Sequence, residues 1–253
     1  MIVRGAGVDI DTKDWGGDGI PMLLTHGAGF SKETLDALVP LLQPTFRVVT
    51  FDMRNHGASG EGRWEWPLVT ADVEAVRGAY GLERPVVAGH SLGGMVAAMY
   101  AADYPGCRGV VNIDGQGKGE PSQYVGMSEE QVRAGWVALD EEQTKLLAAL
   151  DKPRLLEMFA VLDELDLFGV WRATPCPLLI FNCIADDPMY ATRGEEFGAL
   201  MRAYRRGLAR DFAELASDIP SIEIATLDKT HVSVIFEPQE AADRIAEFAA
   251  GLD

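Results

Sequence analysis

Cysteine is scarce in this chain, with 3 among 253 residues. Cys107, Cys176 and Cys183 are odd in number and widely spaced, so they build neither a disulfide framework nor a C-x-x-C pair. Histidine is limited to 4 residues, and no histidine or cysteine falls at metal-ligand spacing; no metal and no cofactor are expected. Basic residues are few, 22 against 39 acidic ones, for a formal charge of −17. That surface repels phosphate backbones and anionic lipid, which argues against nucleic-acid and membrane partners. No apolar run approaches the roughly 18 residues of a membrane span, and Met1-Ile2-Val3-Arg4-Gly5 opens no apolar stretch with a cleavage site. These absences predict a reduced, cytoplasmic protein; oligomeric state is not readable.

What is present is apolar residues, 47% of the chain. In a chain of this length they can bury a sizeable core in one large α/β domain or two small ones. Strand-like runs cover Ile2 to Gly5, Val8 to Asp11, Ile20 to Thr25, Phe46 to Phe51, Pro85 to Ala88, Arg108 to Ile113, Pro177 to Asn182 and Ile222 to Leu227. Between them, helical spacing marks Lys32 to Leu42, Val69 to Tyr80, Met95 to Ala102, Thr192 to Ala216 and Pro238 to Ala250. The alternation stops from about Glu120 to Thr174, where only helical spacing is found and Ser128 with Gln131 forms a candidate capping box. Alternating β and α implies a mostly parallel sheet wrapped on both faces, interrupted by one helical insertion. Gly115-Gln116-Gly117-Lys118-Gly119 lacks the G-x-x-x-x-G-K-[ST] pattern of a phosphate loop and reads as a flexible hinge into that insertion.

The chemistry concentrates at Gly89-His90-Ser91-Leu92-Gly93-Gly94, which follows a strand and passes directly into a helix. A serine in G-x-S-x-G at such a turn takes a strained backbone conformation that lifts its Oγ clear of the sheet. The following helix directs backbone N–H groups and the positive end of its dipole to the same point.

Together with His26-Gly27-Ala28-Gly29, Asp52-Met53-Arg54-Asn55-His56-Gly57-Ala58-Ser59 and the late His231, this motif resembles the α/β-hydrolase superfamily, in the family's order and over nearly the whole chain. The resemblance implies an α/β-hydrolase core over residues 1–115 and 175–253, with a helical cap over 116–174 inserted after strand 6. It implies Ser91 as nucleophile and His231, after the last strand, as base. His26 and His56 sit in turn motifs of structural use in the family, and the side chain of His90 is expected to point elsewhere. Backbone N–H groups of Ala28 and Leu92 are implied as the oxyanion hole. For the acid that orients His231, Phe181-Asn182-Cys183-Ile184-Ala185-Asp186-Asp187-Pro188 offers two carboxylates. Counting from Pro177 selects Asp186, the favoured choice, and counting back from Pro188 selects Asp187. Asp114 is a third candidate, read first as a turn residue opening the cap.

The expected function is cleavage of a carboxylic ester, lactone or thioester of a small, mainly apolar substrate by a serine hydrolase. A C–C bond hydrolase, a cofactor-free perhydrolase or a ligand-sensing module with little turnover are the alternatives, because a superfamily does not select its substrate. Trp136, Phe159, Leu162, Phe168 and Trp171 of the cap are candidate lining residues.

Overall fold

Eight strands form a single sheet in the order β1-β2-β4-β3-β5-β6-β7-β8 in the computed structural model, which describes residues 1–149, 153–188 and 193–252. The strands are β1 (Ile2–Arg4), β2 (Asp9–Gly16), β3 (Ile20–Thr25), β4 (Phe46–Phe51), β5 (Val86–His90), β6 (Gly109–Ile113), β7 (Leu178–Cys183) and β8 (Ile222–Leu227). β1 with β2 and β2 with β4 run antiparallel, and every later pair is parallel. The fold is that of the α/β hydrolases, as the motifs imply.

Two apolar layers hold the sheet. Val87, Val110, Leu178 and Ile180 join Val73, Val96, Tyr100, Leu208 and Phe212 on one face. Val86, Ala88, Val111, Leu179 and Phe181 join Leu38, Val39, Ile235 and Ile245 on the other. Neighbouring residues of one strand thus serve opposite layers, as the two-residue period requires, and a central parallel strand reads as one continuous apolar run. Each fully buried Val, Leu or Ile contributes about 1.5–3 kcal/mol, so a one-residue slip of a central strand would forfeit several such terms.

Helices α2 (Trp66–Ala79), α3 (Leu92–Asp103), α7 (Glu195–Asp218) and α9 (Gln239–Ala250) supply most of the facing side chains, with short α1 (Val39–Leu42) and α8 (Ser233–Phe236). Thr192, the expected start of α7, lies outside the described residues. Several ends differ from expectation, and two of the differences have a clear local cause. The Lys32 to Leu42 helix divides into a 3-10 turn at Lys32–Leu35 and α1, because Pro40 fits a first turn and cannot continue a helix. β2 runs on through Trp15 to Gly16, with an irregularity between Asp14 and Gly16, where its pairing with β4 outlasts the turn-like composition.

Between β6 and β7, among the described residues, lie a 3-10 turn (Pro121–Gln123) and the α-helices α4 (Glu129–Ala149), α5 (Pro153–Asp163) and α6 (Leu167–Ala173). The Ser128 and Gln131 capping box is formed in both directions at the start of α4, at 2.8 and 3.2 Å. The hinge loop is tied rather than loose. Gly115 N–H and C=O both bond the Asn112 side chain, at 2.6 and 2.9 Å, and Tyr204 Oη donates to the Gly117 carbonyl at 2.6 Å. Lys118 Nζ pairs with Asp140 of α4 and Asp163 of α5, at 2.7 and 2.6 Å, over the ring of Trp136. Polar side chains of β6, α4, α5 and α7 supply the anchors that glycine-rich composition conceals.

Candidate active site

Parallel pairing brings five strand ends into one row: Thr25 beside Gly89, His90 beside Ile113, Ile113 beside Phe181 and Cys183 beside Leu227. The residues just beyond those ends therefore converge, at the carboxyl edge where open parallel sheets present their ligands.

Ser91 follows β5 and precedes α3 with φ 53° and ψ −119°, in the positive-φ region that an L-residue rarely occupies. Glycines make the bend possible: a Cβ on Gly89 would fall 2.2 Å from the Gly93 backbone, and one on Gly93 2.7 Å from the His26 carbonyl oxygen. Ser91 N–H donates to the Ile113 carbonyl at 2.8 Å, which ties the turn to β6.

His231 stands in the loop after β8, braced by reciprocal bonds between Thr230 and Ser233 at 2.9 and 3.0 Å. Its Nε2 lies 3.0 Å from Ser91 Oγ, and its Nδ1 lies 2.8 Å from Asp114 Oδ2. A carboxylate accepts, so Nδ1 carries the proton and Nε2 is free to accept from the serine hydroxyl. Asp114 is 4% exposed against 34% for His231. Its Oδ1 accepts the Cys183 N–H at 2.8 Å and the Gln116 side-chain amide at 3.1 Å.

The expectation that Asp186 faces His231 is corrected here. Asp186 is 62% exposed, and its carboxylate lies 4.0 Å from Arg202 on α7. Asp187 is buried but is likewise not the hydrogen-bond partner of His231 Nδ1. The cause is the exit from β7: Ile184 and Ala185 N–H groups bond the Leu227 and Lys229 carbonyls, so this segment continues along β8 before its carboxylates occur. Asp114 comes one residue after β6, at φ 54°, and reaches across to the end of β7. The signal that would have found it is local: Asn112 before it and Gly115 after it form a strand-end bend like that of Ser91 after β5.

Leu92 is the first residue of α3, so its N–H is one of the helix's free donors. Ala28 follows Gly27, where a Cβ would sit 3.1 Å from Ser91 Cβ; the loop closes through Phe30 N–H on the Gly27 carbonyl at 3.1 Å. His26 is buried, accepts Met53 N–H at 3.1 Å and pairs its Nδ1 with the Gly27 carbonyl at 2.8 Å; burial lowers its pKa to about 4. It thus supports the loop as a neutral ring. Burial pushes the Cys107 thiol up to about 12 and Cys176 to about 11, and raises Cys183 further, so none is a thiolate nucleophile at neutral pH.

The apolar insertion residues divide. Trp136 donates its indole N–H to Tyr124 Oη at 2.7 Å, and Phe168 and Trp171 pack on Phe212 of α7. Leu162, Phe168 and Trp171 line a cavity of about 550 Å³ beside the hinge loop, whose wall includes Gln116 and Tyr204 but neither Ser91 nor His231. Among the described residues no three His, Cys, Asp or Glu side chains gather as a metal site, and no helix is long and apolar enough to cross a membrane.

A model of the "Alpha/beta hydrolase family" matches residues 22–247. The chain is 39% identical over 104 residues to a "Bifunctional esterase/perhydrolase DCH" of Acinetobacter calcoaceticus, covering 39% of this chain and 37% of that one. The chain spans about a third of the length of the curated relatives it matches, between 29% and 38% for the first three. Its fold superposes on the enol-lactonase from Burkholderia xenovorans LB400 with a TM-score of 0.68 and 19% identity, covering 99% of this chain and 100% of that one. It is equally similar to AqDC, solved for ring-cleavage of the Pseudomonas quinolone signal, with a TM-score of 0.69, 20% identity and 99% and 100% coverage.

Proposed function

This chain belongs to the alpha/beta hydrolase family, and we propose that it hydrolyses a carboxylic ester, lactone or thioester of a small, mainly apolar substrate through an acyl-enzyme on Ser91. The observation that carries this reading is the unbroken relay from Ser91 Oγ through His231 to Asp114, at 3.0 and 2.8 Å.

Ser91 Oγ attacks the carbonyl carbon while its proton passes to His231 Nε2. Asp114 keeps Nδ1 protonated and stabilises the imidazolium, the part that the sequence assigned to Asp186. Negative charge on the former carbonyl oxygen is met by the N–H groups of Leu92 and Ala28, each worth about 3 kcal/mol in the transition state. His231 then protonates the leaving alcohol or thiol, activates a water and returns the enzyme to its starting state. Residues 116–174 act as the cap that bounds the substrate. Similarity to a bifunctional esterase/perhydrolase favours one further reading, in which hydrogen peroxide takes the place of water in the second half and releases a peracid.

The test is intact mass after brief exposure to a fluorophosphonate, beside Ser91→Ala. One adduct on the parent and none on the variant is expected, followed by turnover in an ester and thioester panel. A well-folded parent that takes no adduct would leave a ligand-sensing module as the better description. Peroxide-dependent bromide oxidation in acetate reads out the perhydrolase branch.

A further inference from the structure

His90 lies immediately before Ser91 at the end of β5 and is fully buried. Its Nε2 stands 2.7 Å from the carbonyl oxygen of His231. A carbonyl only accepts, so this nitrogen carries the proton. Nδ1 is buried without a hydrogen-bond partner, and burial, then the neighbouring His231, lowers the pKa of the ring to about 3. The imidazole is therefore neutral, protonated on Nε2. Its ring packs on that of His231, with centroids 4.7 Å apart and planes at 38°. Its other edge lies over the oxyanion loop, where a Cβ on Gly27 would come within 2.9 Å of Nδ1. One side chain thus touches the nucleophile's strand, the base's loop and the turn that carries Ala28.

We propose that His90 is a positioning residue for the base: its Nε2–H, donated to the His231 carbonyl, and its ring face set the backbone and ring plane of His231 so that Nε2 meets Ser91. This rests on the reading of Ser91 and His231 as nucleophile and base. The loop needs such a tie because His231 is 34% exposed and sits outside any helix or strand. The tie also suits the chemistry, since His231 becomes cationic during the reaction. A second charge at this separation would oppose that proton, and a neutral ring does not.

Two variants separate positioning from packing. His90→Gln carries an amide N–H close to the place of Nε2, whereas the amide of His90→Asn stops near the place of Nδ1. In His90→Asn, the fluorophosphonate labelling rate and kcat on an ester that the parent hydrolyses are expected to fall on the order of 10- to 100-fold, with KM unchanged, as for a misplacement of up to about 1 Å. His90→Gln is expected to recover to within a few-fold of the parent. Labelling of His90→Asn at the parent's rate, or a folded His90→Gln as slow as His90→Asn, overturns the proposal while leaving the hydrolase reading intact. A parent that takes no fluorophosphonate overturns that reading and this proposal with it. Should neither variant fold, ¹⁵N NMR of the parent decides. A His90 that stays Nε2-protonated from about pH 5 to 8 supports the proposal, and one that titrates there or carries its proton on Nδ1 overturns it.

Discussion

The ends of β6 and β7 are neighbours in the sheet, with Ile113 beside Phe181, and both are followed by aspartate. They do opposite things. The end of β6 delivers a buried carboxylate within one residue, bent back by the Asn112 side chain, and the end of β7 meets it with a backbone N–H from Cys183. The β7 exit then follows β8 for two more bonds, and Asp186 comes out on the surface beside the half-buried Arg202. One strand end supplies the charge and the other supplies the donor that holds it. An acid is defined by the direction in which its backbone presents it, and the number of residues past a given strand is a poor guide to that direction.

The largest test of this contrast is Asp114→Asn. Asparagine is nearly isosteric and tolerates the positive φ of 54° found here, so the fold should survive. It offers no charge to an imidazolium, and its amide can hold His231 in the wrong tautomer. Loss of kcat/KM by about 10³- to 10⁴-fold is expected, by analogy with loss of the acid in other serine triads. Activity within tenfold of the parent would place the orienting acid elsewhere.

The same contrast explains what was legible beforehand. Ser91 and His231, the proposed nucleophile and base, were picked out beforehand by the resemblance of their motifs to the α/β-hydrolase family, and the structure puts His231 Nε2 3.0 Å from Ser91 Oγ. β3, β4 and β8 could be read to the residue, each an apolar-rich six-residue run bounded by turn-forming sequence. The proposed acid was hidden because the exit of β7 depends on bonds between Ile184, Ala185 and carbonyls more than forty residues later, at Leu227 and Lys229. The tied hinge was hidden for a similar reason: its anchors, Tyr204, Asp140 and Asp163, lie on helices whose packing no local pattern records.

A middle-sized effect is expected from Gln116→Leu, which sharpens the account of how the β6 end is held. The Gln116 amide donates to Asp114 Oδ1 at 3.1 Å, and Cys183 N–H at 2.8 Å remains without it. A hydrogen bond to a charged group contributes about 1.5–3 kcal/mol when well formed, and this longer, half-buried one should give about 1 kcal/mol. Urea unfolding of the variant should show that loss. Its kcat/KM should fall less than tenfold, since the shorter backbone donor still aims the carboxylate. A loss approaching that of Asp114→Asn would mean that the side chain, and not the β7 backbone, sets the acid.

The smallest effect belongs to Asp186→Asn, and its smallness is informative. At 62% exposure, with Arg202 at 4.0 Å and Glu195 holding the same guanidinium at closer range, Asp186 contributes a surface ion pair of about 0–1 kcal/mol. Neutralising it leaves every contact of Asp114 and His231 in place, so kcat/KM should stay within twofold of the parent and stability within about 0.5 kcal/mol. Steady-state kinetics on one ester, run at both low and high salt, checks this. A fall of a hundredfold or more would show that the β7 exit swings its carboxylate onto His231 during turnover, and that the two strand ends exchange roles between the resting and the working enzyme. An unchanged rate, set beside an inactive Asp114→Asn, would fix the charge on β6 and leave to β7 only the backbone N–H that orients it.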